Sequence, residues 1–135
     1  MPYYFGSTSK QNLSTCHPDI QKVFNEIIKY YDCSVLDGNR SKEKQNEYYH
    51  KGLSQLKYPE SKHNQSPSIA IDVVPYFSNK PHIRWGEKEK FYEFAGFVMG
   101  VASTMGIQLR WGGNWDMDDE LKDNTFMDYP HFELV

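Results

Sequence analysis

Two short stretches of this sequence hold most of the side chains that could do chemistry. One is a polar loop followed by an apolar run, which together carry His63 and Asp72, and the other carries Asp128 and His131. Two imidazoles and one carboxylate form a ligand set that suits Zn²⁺ and leaves a fourth position for water. A second carboxylate nearby could then carry a proton. The residue types therefore favour metal-assisted hydrolysis.

Asp72 stands out because it interrupts a run with strong β preference. The run Ile69-Ala-Ile-Asp-Val-Val74 is bounded by prolines and predicts a strand. Alternation along a strand places Asp72 on the same face as Ala70 and Val74. Carboxylates are rarely buried unless they are paired or bound to a metal. The run therefore predicts a cation beside Asp72.

The segment Asp128-Tyr-Pro-His131 holds a carboxylate and an imidazole three residues apart. Pro130 restricts the backbone between them, which favours a reproducible geometry. If His63, Asp72 and His131 bind zinc, Asp128 can reach the same water and pass its proton to a leaving amine.

Arg40 lies at a predicted junction between a strand and a helix. The strand is expected over Cys33-Ser-Val-Leu-Asp-Gly38, and Ser41 is a suitable cap for a polar helix over residues 42–51. Loops at such junctions often carry function, and a cation is needed where negative charge develops on a carbonyl oxygen or a substrate carboxylate. From position alone, a surface ion pair without a chemical role is the alternative.

Helical and strand patterns fill most of the remaining sequence. A helix that begins at Pro18 carries one apolar stripe, and a longer helix opens at Glu87 and ends near Gly106. Further strands are expected over residues 107–111 and 132–135. Helices and strands are thus mixed along the chain, which indicates an α+β fold.

The first thirteen residues and the total length bear on domain organisation. Residues 1–13 show no periodicity and are expected to lie across the surface as an arm. A chain of 135 residues can bury a sizeable core in one domain. We therefore expect a single domain over residues 1–135.

Charge and composition exclude several classes of protein. The net charge is -3 and no stripe of Lys and Arg is present, so nucleic-acid binding is not expected. No stretch is apolar for long enough to span a membrane, and the amino terminus does not resemble a secretory signal. The protein is therefore expected in the cytosol, where Cys16 and Cys33 would stay free thiols.

Residues 112–127 are predicted to form a long loop rich in glycine and acidic side chains. Its aspartates are Asp116, Asp118, Asp119 and Asp123. Carboxylate oxygens of this kind could hold Ca²⁺, although Leu121 stands where an EF-hand requires glycine. A solvated acidic loop is the alternative.

Each candidate ligand on its own could also be an ordinary loop or core residue. The three ligands are far apart in sequence, without a compact motif such as His-Glu-x-x-His, so only the fold can bring them together. From the residues alone, the metal site therefore remains one of two open alternatives.

The arrangement of these segments resembles the zinc peptidases that cleave bacterial cell-wall peptides. This family includes D-alanyl-D-alanine carboxypeptidases and dipeptidases, and the L-alanyl-D-glutamate endopeptidases used as phage endolysins. The resemblance covers roughly residues 18–135, and the Trp111-Gly-Gly-x-Trp115 turn is most similar to the phage branch. The matching segments are Gly38-Asn-Arg-Ser41 with Gln45, Ser61-x-His63 with Ala70-x-Asp72, and Asp128-x-x-His131-Phe-Glu-Leu134.

The resemblance implies a Hedgehog/DD-peptidase-like α+β fold, a small antiparallel sheet packed by two main helices and a short polar helix. It implies that His63, Asp72 and His131 bind one zinc ion. It also implies that Asp128 is the general acid/base and that Arg40 stabilises substrate and transition state. The family commonly has six residues between its first histidine and its aspartate, whereas eight lie between His63 and Asp72. The extra residues are expected to bulge out of the loop.

The function that follows is a zinc-dependent peptidoglycan peptidase that cleaves the stem peptide, most simply an L-alanyl-D-glutamate endopeptidase acting as an endolysin. Such an enzyme is expected to act as a monomer and to reach the wall after a holin opens the membrane. A D-alanyl-D-alanine carboxypeptidase or dipeptidase is the nearest alternative. A non-catalytic, zinc-stabilised wall-binding module is a third, and a metal-dependent nuclease is disfavoured by the acidic balance.

Overall fold

A computed structural model describes residues 2–113 and 128–135. The helices are α1 (Ser7–Ser14), α2 (Pro18–Ile27), α3 (Lys42–His50) and α4 (Lys88–Thr104), with a short 3-10 turn at Lys62–Asn64. The strands are β1 (Cys33–Asp37), β2 (Ala70–Pro75), β3 (Leu109–Trp111) and β4 (His131–Leu134).

The strands form one antiparallel sheet in the order β1-β2-β4-β3. The predicted α+β fold with a small antiparallel sheet is therefore confirmed. The register between β2 and β4 pairs Asp72 with His131. Two of the three predicted metal ligands are thus backbone neighbours across the sheet.

The hydrophobic core lies on one face of the sheet, against α2 and α4. Ile71 and Val73 of β2 point into this core, while Asp72 lies on the opposite face, as strand alternation predicts. The Phe132 ring packs edge-on against Phe24 of α2 and Phe94 of α4, with centroids 5.8 and 6.1 Å apart. These contacts hold β4 in place from the core side.

Helix α1 is a correction to the expected surface arm at residues 1–13. Leu13 is buried in the core together with Phe5, which precedes the helix. Ser9 Oγ accepts a hydrogen bond from Val35 N at 3.0 Å, and Asn12 Nδ2 donates to the Val35 carbonyl at 2.9 Å. Polar side chains therefore dock α1 on the edge strand β1. A search for an apolar stripe misses a helix that is attached in this way.

The other helix starts follow the sequence signals. His17 caps α2 by accepting from Asp19 N through Nδ1 at 3.0 Å, with Pro18 at the first helical position, and Ser41 caps α3. Helix α2 ends at Ile27, about one turn before Tyr31, the last residue of the predicted apolar stripe. Gly106 adopts a φ of 70° just after α4, where a left-handed residue ends the helix.

Two further observations concern the cysteines and the helices. Cys16 and Cys33 are both buried free thiols. In the part of the chain that the structure describes, no helix combines the length and the apolar character that crossing a bilayer requires.

Candidate metal centre and active site

Three predicted ligand atoms form a nearly equilateral triangle on the sheet face opposite the core. His63 Nε2 lies 3.2 Å from His131 Nδ1, and each nitrogen lies 3.3 Å from Asp72 Oδ1. His63 and His131 are buried, and Asp72 is partly buried. Residues far apart in sequence thus present three possible donor atoms to one point.

The size of this triangle fits a tetrahedral zinc ion. Bonds of about 2.0 to 2.1 Å at tetrahedral angles separate ligand atoms by about 3.3 Å. Asp72 Oδ1 is also buried without a hydrogen-bond partner among the described residues, which is costly for a carboxylate oxygen. A bound cation would satisfy this oxygen, so the donor set and its geometry both fit the metal.

Local capping fixes the position of His63. Ser61 and Asn64 form a capping box around the 3-10 turn, in which Ser61 Oγ accepts from His63 N at 3.1 Å. His63 Nδ1 lies 2.8 Å from the Gly38 carbonyl oxygen. A carbonyl oxygen can only accept, so Nδ1 carries the proton and Nε2 is free to bind a metal.

Gly38 has a steric reason to be glycine. A Cβ at this position would overlap the Asn12 carbonyl oxygen and Thr15 Oγ1. The close approach of α1 to the end of β1 therefore leaves room only for glycine, and it sets the carbonyl that orients His63.

Arg40 is buried beneath the metal triangle, with 6% of its surface exposed. The alternative of a surface ion pair is therefore wrong. Its Nη2 donates to Asp72 Oδ2 at 3.0 Å, while Asp72 Oδ1 belongs to the triangle. Its backbone N donates to the His63 carbonyl at 2.8 Å. Arg40 is thus one cation beside Asp72, where the sequence predicts positive charge.

A polar cluster that the sequence analysis did not identify holds the Arg40 side chain. Arg40 Nε donates to Asp37 Oδ2 at 3.1 Å, and Nη1 donates to Gln45 Oε1 at 2.9 Å. The Tyr48 ring covers the guanidinium, 4.6 Å from Cζ to the ring centroid. Lys44 Nζ donates to Asp37 Oδ1 at 3.0 Å. Both Asp37 and Gln45 are buried, so the guanidinium has one defined orientation.

Asp128 lies in a tight turn next to the metal triangle. His131 N donates to the Asp128 carbonyl at 3.0 Å, and Asp128 N donates to the Gly112 carbonyl at 3.0 Å. A Cβ at Gly112 would overlap the Asp128 carbonyl oxygen. Glycine at position 112 therefore allows the close approach that sets the turn.

The pKa values of Asp72 and Asp128 reflect the charges of the groups around them. Burial, and then the negative charge of Asp72, raise the pKa of Asp128 from 3.8 to about 6. Burial alone would also raise the pKa of Asp72, but the adjacent His63 and His131 hold it well below its usual range. Asp128 therefore faces the same electrostatic environment as the ligands and can exchange a proton near neutral pH.

Glu133 is a buried residue of the site for which no role was predicted. Its Oε1 lies 2.8 Å from His131 Nε2. Strand alternation carries the missed signal, because residues two apart on β4 share a face. The same alternation that places His131 on one face of β4 therefore also places Glu133 on that face.

The extra residues between His63 and Asp72 lie mainly in an exposed loop on the protein surface. Gln65, Ser66 and Pro67 are exposed, as expected of a bulge. Ser68 differs, because it is fully buried and its Oγ donates to the Ala70 carbonyl at 2.6 Å. Ser68, the last of the four residues 65–68 that were expected to bulge, therefore anchors the loop at the start of β2.

The predicted calcium site cannot be placed by the described part of the chain. Its aspartates, residues 116–123, lie outside the described residues, and so does Trp115. The calcium site therefore stays a prediction from the sequence.

Comparisons with known proteins agree over the whole chain. The sequence model of the family named phage L-alanyl-D-glutamate peptidase matches residues 1–135. The L-alanyl-D-glutamate peptidase of Escherichia phage T5 is 33% identical over 141 aligned residues, which cover all of both chains. The crystal structure of the Serratia marcescens L-Ala D-Glu endopeptidase ChiX superposes with a TM-score of 0.75 at 30% identity, covering 98% of this chain and 90% of that one. Because sequence and fold match over essentially the full length, this chain belongs to the phage L-alanyl-D-glutamate peptidase family.

Proposed function

We propose that this chain is a zinc-dependent peptidoglycan peptidase that hydrolyses the bond between L-alanine and D-glutamate of the stem peptide. The observation that carries the proposal is the triangle of His63 Nε2, Asp72 Oδ1 and His131 Nδ1, with sides of 3.2 to 3.3 Å. Asp128 lies beside it with a pKa raised to about 6. Family membership supports the peptide substrate.

His63, Asp72 and His131 would hold the zinc ion in this proposal. Three protein ligands are typical of catalytic zinc sites, whereas structural sites are usually closed by four. A bound zinc ion supplies Lewis acidity and lowers the pKa of a coordinated water to about 7.

Asp128 acts as the proton carrier. Its carboxylate would accept a proton from the attacking water and return it to the leaving amine of D-glutamate. The hydrogen bond from His131 N to the Asp128 carbonyl ties this residue to the ligand strand at 3.0 Å. This hydrogen bond fixes the position of Asp128 relative to the ligand His131.

Arg40 contributes positive charge beneath the site. Three of its nitrogens are engaged by Asp37, Gln45 and Asp72, so its main effect on the reaction is electrostatic and positional. It holds Asp72 Oδ2 and leaves Oδ1 for the metal. Its fixed charge also favours the negative charge that develops on the carbonyl oxygen.

A wall-lysis assay with metal analysis tests the proposal. Purified protein is expected to contain about one zinc ion, the number that this three-ligand set with one open position holds. It should lyse purified walls, lose activity with a chelator and regain it with added zinc. The new amino termini should belong to D-glutamate. Termini that belong to D-alanine would replace the proposal with the D-alanyl-D-alanine peptidase alternative.

The non-catalytic wall-binding alternative makes a different prediction in the same assay. A wall-binding module would bind purified walls with no release of new amino termini, and chelation would leave no activity to lose. Asp128 is a carboxylate beside the three ligands and is not itself a ligand in this proposal. Its presence favours a catalytic site over a structural one, because a structural zinc site is closed by four protein ligands and needs no additional proton carrier.

The cellular route belongs to the same proposal. We propose that the enzyme acts as a monomeric endolysin and reaches the wall after a holin opens the cytoplasmic membrane. Expression in a susceptible host should therefore cause lysis only when the membrane is permeabilised. Lysis at equal speed in cells with an intact membrane would contradict this route.

A further inference from the structure

We propose that Glu133 is a positioning residue that decides which ring nitrogen of His131 faces the metal, and that Lys62 and Arg110 fix the orientation of Glu133. The inference rests on the metal site of the proposed function. It concerns side chains that contact the ligand His131, directly or through Glu133, and that do not themselves bind the metal.

The two carboxylate oxygens of Glu133 have separate partners. Oε1 lies 2.8 Å from His131 Nε2. Oε2 lies 2.6 Å from Arg110 Nη2 and 2.9 Å from Lys62 Nζ. Glu133 is only 5% exposed, and the positive charges of Lys62 and Arg110 at Oε2 balance the charge of its carboxylate. The side chain is thus an ionised acceptor with a fixed orientation.

An ionised carboxylate accepts hydrogen bonds and cannot donate them. The proton of neutral His131 therefore lies on Nε2, towards Glu133, and the lone pair of Nδ1 faces His63 and Asp72. His63 has the opposite arrangement, because the Gly38 carbonyl oxygen takes its Nδ1 proton at 2.8 Å. The two imidazoles would bind one ion through different nitrogens. A side-chain substitution can change only the His131 arrangement, since the partner of His63 is backbone.

Glutamine at position 133 separates a tautomer role from a space-filling role. Its amide has one acceptor and one donor end. The two cations, Lys62 and Arg110, attract the amide oxygen, so the NH₂ group turns towards His131 Nε2. The ring must then accept at Nε2 and carry its proton on Nδ1, where the metal should bind. A nearly isosteric change would therefore harm zinc binding more than truncation to alanine, which leaves the ring free to choose its tautomer.

Lys62 also links the two segments that carry the histidines. It precedes His63, and its Nζ donates to the Leu134 carbonyl at 2.9 Å as well as contacting Glu133. The 3-10 turn is thus tied to β4 independently of the metal. Lys62→Met should weaken zinc binding moderately, because it loosens Glu133 without reversing its orientation.

The experiment compares zinc dissociation constants, measured by competition with a chromophoric chelator, for the parent, Glu133→Ala and Glu133→Gln. Loss of a partner behind a ligand histidine costs about 10-fold to 100-fold in metal affinity. We expect Glu133→Ala near the lower figure and Glu133→Gln at or beyond the higher one. Glu93→Gln is the matched control, because Glu93 lies on the exposed side of α4, bonded to Tyr31, and should leave affinity unchanged.

The outcomes separate this inference from the proposed function. The inference alone is overturned if the parent binds zinc and Glu133→Gln binds zinc as tightly as the parent does. It is also overturned if Glu133→Gln binds zinc more tightly than Glu133→Ala does. A parent that binds no zinc overturns both. Nitrogen NMR of the zinc-loaded parent gives a readout that does not depend on folding of the variants. It should show metal at Nδ1 of His131 and Nε2 of His63, and metal at Nε2 of both would overturn the tautomer assignment.

Discussion

Asp72 and His131 face each other across β2 and β4, and their side chains bring Oδ1 and Nδ1 to within 3.3 Å. One backbone register therefore sets two corners of the metal triangle. The third corner, His63, comes from a capped turn that is joined to the Arg40 loop by a 2.8 Å backbone hydrogen bond.

His63→Ala should abolish zinc binding. Two donors remain, and they cannot form the three-ligand site that catalytic zinc needs. Metal analysis after dialysis against limiting zinc measures the effect. His50→Ala, on the exposed end of α3, is the control and should keep its zinc. Equal zinc content in the two variants would show that His63 is not a ligand.

Asp128→Asn should keep the fold and the zinc but lower the rate of wall hydrolysis by about 10² or more, the scale of lost acid/base catalysis. The amide is similar in size to the carboxylate but cannot take up the proton. Initial rates of release of amino termini, at equal zinc loading, measure the change. A variant that hydrolyses walls as fast as the parent would remove Asp128 from the mechanism.

Gly112→Ala should reduce activity without removing a catalytic group. The added methyl would overlap the Asp128 carbonyl oxygen, so the turn that carries Asp128 must shift. A misplacement of about 1 Å can cost about 10²-fold in rate. Gly86→Ala is the control, because a Cβ at Gly86 meets no atom within 4 Å. Comparable kcat values for these two variants would contradict the steric account.

Arg40→Met should destabilise the metal-free protein by roughly 3 to 5 kcal/mol, because removing one partner of a buried ion pair leaves charges uncompensated. Asp37 and Asp72 would both lose a bond from the guanidinium. Urea unfolding in the presence of a chelator measures the loss. Lys51→Met, which breaks an exposed pair with Glu47, should change stability little. A similar effect of both substitutions would argue against the buried role of Arg40.

Zinc should stabilise the fold more strongly as pH rises. Burial and the charge of Asp72 raise the pKa of Asp128 from 3.8 to about 6 in the metal-free protein. Burial would lower the pKa of His131, but the adjacent Asp72 and Glu133 carboxylates raise it from 6.5 to about 9. Both groups stabilise the fold below their unfolded pKa values. This contribution is lost as pH rises through 6 for Asp128 and through 9 for His131.

Zinc binding has the opposite pH dependence, because its ligands must be deprotonated. Thermal unfolding with zinc and with a chelator, between pH 5 and 8, should therefore show a Tm difference that widens as pH increases. A difference that stays constant over this range would mean that protons and zinc do not compete for the site.

Asp72 could be singled out from the residues because its type conflicts with its surroundings, whereas the full set of His63, Asp72 and His131 followed from the resemblance to the zinc peptidases. Asp72 sits within an apolar strand, and that conflict indicates a cation. The sequence could not show that this cation includes Arg40, because the contact depends on how the β1 loop packs under β2. The roles of Asp128 and Arg40 are predictions, which the Asp128→Asn and Arg40→Met variants test.

The missed features share a different cause. Helix α1 is attached by hydrogen bonds from Ser9 and Asn12 to Val35 and has little apolar periodicity. Asp37 looks like an ordinary surface acid in the sequence, and only its burial against Arg40 shows otherwise. Periodicity therefore identifies elements that pack through apolar faces, whereas polar packing becomes visible only in three dimensions.

The position of β4 between β2 and β3 has a consequence for how activity arises during folding. Without the pairing of β2 with β4, the sheet would consist of two separate antiparallel pairs, β1-β2 and β3-β4, and His131 would be remote from the other two donors. Pairings between segments so distant along the polymer form late, because closing a long loop costs entropy before any contact repays it. A chain that lacks this pairing therefore has an incomplete set of ligand residues. The pairing of β2 with β4 completes both the sheet and the candidate metal site.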